Sequence, residues 1–341
     1  MKYEPAINQN YLITTIHDVY GLHIMELSFI PVGFAAVCYA LRDVYGSQYF
    51  LKLWPDTRVG HAGAAQRDGV LRLMRALHDR GLYPRVPYPL ATKHGALWAP
   101  FEHASFALFP FLPGHTPPFP WPEALHDEWA RTIATIHRAT PALHDLLPPR
   151  ETFDIPFEAD LRRGLAAVEQ IGTHERSGLR ALRDAVLPRR AEVLEQLARL
   201  HNLQPAVRRL HGPFVLCHTD MGGDNMLVDK QGQLHVLDWD EARVAPPEHD
   251  LQEARGAAFD RFVHVYKAAG GAQPLHLDHF AFSLRRRHLG DMVARLLQML
   301  EHDASAEQDA HALDGIEAWG FAQWRMLDET LNTIAGALQP A

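Results

Sequence analysis

Residues 112–122 read LPGHTPPFPWP, and no other stretch limits the fold as strongly. The run holds five prolines. Each fixes its own φ and removes a backbone donor, so neither a helix nor a central strand can pass through it. The chain is thereby cut into two segments of different pattern. Upstream, 25–30 (MELSFI), 35–41 (AAVCYAL) and 49–53 (YFLKL) read as strands, separated by turn signals at Pro31-Val32-Gly33 and Asp43-Val44-Tyr45-Gly46-Ser47. A helix is expected over 64–80, with Val70, Leu71, Met74 and Leu77 on one face and Gly81 past its end. Further strands are expected within 90–112, with turns at 93–95 and 103–105.

Downstream the spacing is helical. Leu125, Trp129, Ile133 and Ile136 mark 123–139; further helices are expected over 179–203, interrupted at Pro188, and over 275–300 and 306–338. Only 214–216, 226–228 and 234–237 read as strands there. The expected class is α+β, with an antiparallel-sheet N-terminal lobe over 1–112 and a mainly helical C-terminal lobe over 113–341.

The 33 Lys and Arg stand against 41 Asp and Glu, a net charge of −8. Phosphate neutralisation needs a basic face, so nucleic acid is not an expected partner, whereas a cationic small molecule suits the balance. Two cysteines, Cys38 and Cys217, make no disulfide framework and no cysteine zinc site. No leader-like apolar run opens the chain and no stretch approaches the ~18 apolar residues of a membrane span. A cytoplasmic protein with no membrane partner is expected, as a monomer or homodimer.

The densest chemistry lies between Phe214 and Asp240. An apolar strand ends at His218-Thr219-Asp220, Asn225 follows, and a short hairpin through Asp229-Lys230-Gln231-Gly232 leads to Asp238-Trp239-Asp240. Mg²⁺ takes hard oxygen ligands, often one or two side chains plus substrate phosphates. Phosphoryl transfer needs those ligands close to a carboxylate that positions the acceptor. On this reading Asp220 orients an acceptor hydroxyl and takes its proton, while Asn225 and Asp238 hold Mg²⁺ on nucleotide phosphates. In the plainer alternative Asp220 and Asp224 cap a helix and Asp238 merely ends a strand. Asp238 and Asp240 could also form a glycosidase-like carboxylate pair, but that chemistry has no use for the Asp220/Asn225 loop or for Lys52. Lys52 is one of only five lysines and sits in an apolar strand, YFLKLW, where a buried ammonium demands an anion nearby.

The segment from His218 to Asp240 resembles the catalytic and metal loops of the aminoglycoside phosphotransferase family, whose fold is similar to that of protein kinases. Residues 215–251, including LDWDEARVAPPEHDL, look most like its spectinomycin phosphotransferases. The resemblance implies a two-lobed protein-kinase-like fold that binds ATP and Mg²⁺. It implies that Lys52 contacts the α- and β-phosphates and pairs with a helix acid. Asp68 stands here where the family has glutamate. Gly33, in a turn without the full G-x-G-x-x-G, would cover the phosphates, and Ile30 would form part of the nucleotide roof. Phe109 and Phe111, flanking Pro110, would offer backbone groups to adenine.

For the acceptor, the acidic residues after Asp220 are the candidates: Asp224, Asp240 and Glu241 above all, then Glu248 and Asp250. Asp250 also matches a family aspartate that braces the catalytic loop. The expected activity is ATP-dependent phosphorylation of an alcohol group on a small, cationic molecule such as spectinomycin or an aminoglycoside. Two alternatives stay open: a metabolic kinase of a sugar, choline or homoserine type, and a non-catalytic nucleotide-binding pseudokinase.

Overall fold

Asn8 opens the first helix. Its side-chain oxygen accepts the Tyr11 N–H at 3.0 Å, and Gly21, at φ 77°, closes helix α1 (Gln9–Tyr20) in the left-handed region that glycine enters without penalty. Then follow β1 (Ile24–Ile30), β2 (Val37–Asp43), β3 (Gln48–Pro55), α2 (Ala64–Asp79), β4 (Ala99–Phe101) and β5 (Ala104–Pro110). The computed structural model describes residues 4–32, 36–55, 64–254, 256, 258–301 and 305–339. Gly33 lies outside them.

The five strands form one antiparallel sheet in the order β1-β2-β3-β5-β4. Alternation along each strand gives the sheet two faces of different character. Val37, Tyr39, Leu41, Leu51, Leu53, Phe106 and Leu108 build an apolar core with Leu12 and Ile16 of α1. The register aligns Ile30, Cys38, Lys52 and Ala107 in one row across β1, β2, β3 and β5, on the opposite face. The Cys38 and Ala107 side chains beside Lys52 are small, which leaves space above its stem.

Contacts divide the chain into two compact units. One holds Met1–Arg150, Val215–Ala245 and Val265–Ala272; the other holds Glu151–Phe214, Pro246–His264 and Gln273–Ala341. In the first, the proline-rich stretch runs into α3 (Glu123–Arg138). The same unit contains the paired strands β6 (Val215–Cys217) and β9 (Arg243–Ala245), and the hairpin of β7 (Met226–Val228) and β8 (Leu234–Val236). The proline-rich stretch does not hang free: His115 exchanges two backbone hydrogen bonds with Val228, at 3.0 and 2.9 Å.

The second unit is helical: α4 (Glu158–Glu169), α5 (Ser177–Val186), α6 (Arg190–Arg209), α7 (Glu248–Leu251), α8 (Phe259–Ala268, whose last turn belongs to the first unit), α9 (Leu277–Glu301), α10 (Ala306–Ile316) and α11 (Ala322–Leu338). α9 is its axis, and Leu289, Met292, Val293 and Leu296 meet Leu165, Leu182, Val193, Leu197 and Ile316 from neighbouring helices.

The strand–strand–strand–helix–strand–strand order and the main helices fall where the pattern put them. α1, α4, α7, α8 and β9 carried no expectation. Pro188 interrupts the helix as expected, in a short 3-10 turn at Leu187–Arg189, yet α6 continues past Pro205 to Arg209. Residues 306–338 are two helices joined through a π turn at Glu317–Phe321.

Gly114 is a position where the close approach matters. A Cβ there would lie 2.5 Å from the Leu227 side chain and 2.7 Å from the Val228 carbonyl oxygen. Gly114→Ala is therefore expected to lower stability by about 1–3 kcal/mol in urea denaturation. A change within about 0.5 kcal/mol, the range of an ordinary surface substitution, would contradict this contact.

Candidate active site

Lys52 stands in the middle of β3 with its side chain 11% exposed. Its Nζ lies 2.7 Å from Asp238 Oδ1 and 2.9 Å from Asp240 Oδ2. Trp54, on the same strand and face, donates its Nε1–H to the same Asp240 oxygen at 2.7 Å. Desolvation works against the Lys52 ammonium, but the Asp238 and Asp240 carboxylates outweigh it and raise its pKa above the ordinary lysine value. Desolvation would likewise lift the Asp238 carboxyl. The ammonium beside it holds it below the usual carboxylate range. The stabilisation from Asp238 is thus complete above the ordinary aspartate pKa of about 3.9, and fades as pH falls through its depressed value.

The loop after β6 faces this cluster. His218 is fully buried. Its Nδ1 accepts the Asp220 N–H at 3.2 Å, which places the ring proton on Nε2, and Nε2 donates to the Leu237 carbonyl at 2.8 Å. Trp239, also fully buried, meets the His218 ring edge-on at 4.9 Å between centroids. His218 therefore ties the loop of Asp220 to the strand end that delivers Asp238. Thr219, at φ 72°, and Asp238, at φ 57°, both occupy the left-handed region that non-glycine residues seldom enter. Such backbone persists where surrounding contacts over-determine it, as they do on both sides of His218.

Asn225 closes the arrangement. Its Nδ2 donates to the Asp220 carboxylate at 2.7 Å and to the Asp220 carbonyl at 3.0 Å. With the amide nitrogen so used, Oδ1 is the atom left to meet a cation. The Leu237 N–H donates to the Asn225 carbonyl at 2.8 Å, which keeps Asn225 and Asp238 at the same end of the β7–β8 hairpin. An amide oxygen and an ionised carboxylate beside a carboxylate are hard donors, and they fit Mg²⁺.

The structure thus brings together Lys52, Asp220, Asn225, Asp238 and Asp240, and aligns Ile30 and Phe109 on the Lys52 face of the sheet. Three expectations need correction. Asp68 does not reach Lys52: its carboxylate takes Arg72 at 2.6 Å and the Trp98 indole N–H at 3.2 Å. The helix presents Arg67 instead, whose guanidinium bonds Ser105 Oγ and lies 5.1 Å from the Trp54 ring centre. The Phe111 N–H donates to the Gln48 carbonyl at 3.2 Å, inside the sheet hydrogen bonding, so it is not an open donor for adenine. Asp240 faces Lys52 and Trp54 rather than standing ready for an acceptor.

Among the other acidic candidates, Asp224 is exposed on the Gly223–Asn225 turn, and Glu241 pairs with Arg243 at 3.0 Å. Glu248 and Asp250 are fully buried in the second unit, and Glu248 accepts the His276 N–H at 2.5 Å. Sequence reasoning assigned no role to His218, Trp54 or Trp239. For Trp54 a signal existed, since it shares the face of Lys52 by strand alternation.

A family model described as the phosphotransferase enzyme family matches residues 26–279, and the chain belongs to that family. Solved structures agree on the fold. A spectinomycin phosphotransferase in complex with ADP and spectinomycin is similar at a TM-score of 0.73 and 18% identity, covering 92% of this chain and 94% of that one. A microcompartment-associated aminopropanol kinase is similar at 0.65 and 16%, covering 94% and 98%. An aminoglycoside phosphotransferase from Alicyclobacillus acidocaldarius is similar at 0.55 and 18%, covering 98% and 97%. The fold is accordingly the protein-kinase-like α+β fold of this family.

The attribution of the low Asp238 pKa to Lys52 is open to direct measurement. In Lys52→Met, ¹³C titration of labelled aspartate is expected to place the Asp238 carboxyl higher than in the wild type. An unchanged value would contradict the attribution.

Proposed function

We propose that the protein is an ATP-dependent O-phosphotransferase that moves the γ-phosphoryl group to a hydroxyl of a small cationic molecule, of the spectinomycin or aminoglycoside kind. The observation that carries the reading is the convergence of Lys52, Asp238, Asn225 and Asp220 in one unit. A buried strand cation, two hard oxygen donors and a carboxylate held by the Asn225 amide are the parts that phosphoryl transfer uses.

Residues 1–112 serve as the nucleotide-binding lobe and 113–341 as the catalytic and acceptor-binding lobe. Lys52 contacts phosphate oxygens from the sheet face that carries Ile30 and Phe109. Asn225 and Asp238 hold Mg²⁺, which when bound neutralises charge on the phosphate oxygens. The Asn225 amide fixes the Asp220 carboxylate, which accepts the proton of the acceptor hydroxyl and aligns its oxygen for in-line attack. Catalysis of this kind rests on positioning and charge more than on covalent chemistry.

The acceptor is read from charge and from the similar structures. Asp224 is an exposed carboxylate near Asp220 in sequence, and a cationic acceptor would be drawn to it. The complex with spectinomycin favours an aminocyclitol. The aminopropanol kinase favours a second reading, a metabolic amino-alcohol kinase with the same chemistry.

The test is a coupled ADP-release assay with Mg-ATP against spectinomycin, several aminoglycosides, aminopropanol, choline and homoserine. Turnover is expected on at least one of these amines, and Asp220→Ala is expected to lower it by about 10²–10⁴-fold. Turnover on spectinomycin alone would support the resistance reading, and turnover on aminopropanol alone the metabolic one. An Asp220→Ala protein as active as the wild type would overturn the mechanism. ATP binding without turnover on any acceptor would favour a non-catalytic nucleotide binder.

A further inference from the structure

Lys52 carries two carboxylates where a kinase-like site needs one of them for a metal. The Asp238 carboxylate is the proposed metal ligand, so it cannot be the lasting partner of the ammonium. Helix α2 does not supply another: Asp68 is bonded to Arg72 and Trp98, and the buried residue beside it is a cation, Arg67, lying against Trp54. Asp240, by contrast, is seated for the task. One oxygen, Oδ2, accepts from Lys52 Nζ at 2.9 Å and from Trp54 Nε1 at 2.7 Å. Both donors project from the same face of β3, and Trp54 is only 2% exposed, so its indole is a fixed post.

We infer that Asp240 is the positioning residue for Lys52, taking the place of the absent helix carboxylate and holding the ammonium toward nucleotide phosphates while Asp238 serves the metal. Three consequences follow from the geometry. The anchor comes from the strand end two residues past the metal ligand, so one segment sets both the metal and the lysine. It uses no carboxylate of α2. And Trp54 becomes part of the nucleotide machinery without touching nucleotide.

This inference rests on the reading of Lys52 as a nucleotide contact. The experiment is therefore built so that each can fail alone. ATP binding with Mg²⁺ is measured by calorimetry for the wild type and for Asp240→Asn, Asp240→Glu, Trp54→Phe, Asp68→Asn, Lys52→Ala and the Lys52→Ala/Asp240→Asn double variant, with melting temperatures alongside. Asp240→Asn is expected to weaken ATP binding about tenfold, the scale of one charge-assisted hydrogen bond. Asp240→Glu, which keeps the charge, is expected to recover most of that loss. Trp54→Phe is expected to give a smaller loss in the same direction, and Asp68→Asn to stay within about twofold of wild type. In the Lys52→Ala background, Asp240→Asn is expected to add nothing, because its effect runs through the lysine.

Wild-type ATP affinity in Asp240→Asn, with Lys52→Ala impaired, would overturn the inference and leave the nucleotide reading standing. So would a loss in Asp240→Asn that persists in full when Lys52 is already alanine. Wild-type affinity in Lys52→Ala would overturn both. If Asp240→Asn melts too low to measure, Asp240→Glu and Trp54→Phe decide on the same terms.

Discussion

An ammonium buried on a central strand is costly unless anions meet it, and that requirement organises the site. Lys52 reaches into the space over Cys38 and Ala107, and the nearer in sequence of the two anions that meet it, Asp238, is 186 residues further along the chain. To bring Asp238 and Asp240 there, the end of the β7–β8 hairpin has to turn sharply, and Asp238 occupies the left-handed backbone region as it does so. That turn is kept by buried neighbours. His218 bonds the Leu237 carbonyl, Trp239 packs on His218, and its own indole N–H donates to the Val236 carbonyl at 3.0 Å. The strained backbone and the buried charge therefore support one another: the ion pair rewards the turn, and the turn delivers the ion pair.

The same segment carries the second half of the site. Because His218 bonds both the Asp220 N–H and the Leu237 carbonyl, the Asp220 loop and the Asp238 strand end are tied to one another. Asn225 adds a further tie, through its side chain to Asp220 and through its carbonyl to Leu237. Even the proline-rich stretch takes part, since His115 pairs with Val228 on the hairpin and Gly114 is small enough to let that pairing form. Positioning of this kind suits a reaction whose catalysis is mainly geometric and electrostatic.

The sheet and the principal helices could be read from the sequence because their signals are local. Alternation in YFLKLW and AAVCYAL gives strands, and Val70, Leu71, Met74 and Leu77 give a helix face. α1 is hard to read in the sequence although Asn8 and Gly21 mark its ends; its β-branched Ile13, Thr14, Thr15 and Ile16 blur the helical pattern. The loop of Asp220 and Asn225 was legible because its residues are close in sequence. The partner of Lys52 was not, since Asp68 and Asp240 are equally acidic on paper. Only the packing of Arg67 on Trp54 and of Trp54 on Asp240 separates them. Phe111 failed as a hinge donor for a related reason: whether an N–H is open depends on strand register, here the pairing with Gln48.

The most direct test of the account is a crystal structure of the protein with a non-hydrolysable ATP analogue and Mn²⁺ in place of Mg²⁺, read by anomalous scattering. The account expects a manganese peak between Asn225 Oδ1 and the Asp238 carboxylate, with Lys52 Nζ on a phosphate oxygen. A nucleotide bound with the metal away from these two residues, or with Lys52 directed elsewhere, would contradict it.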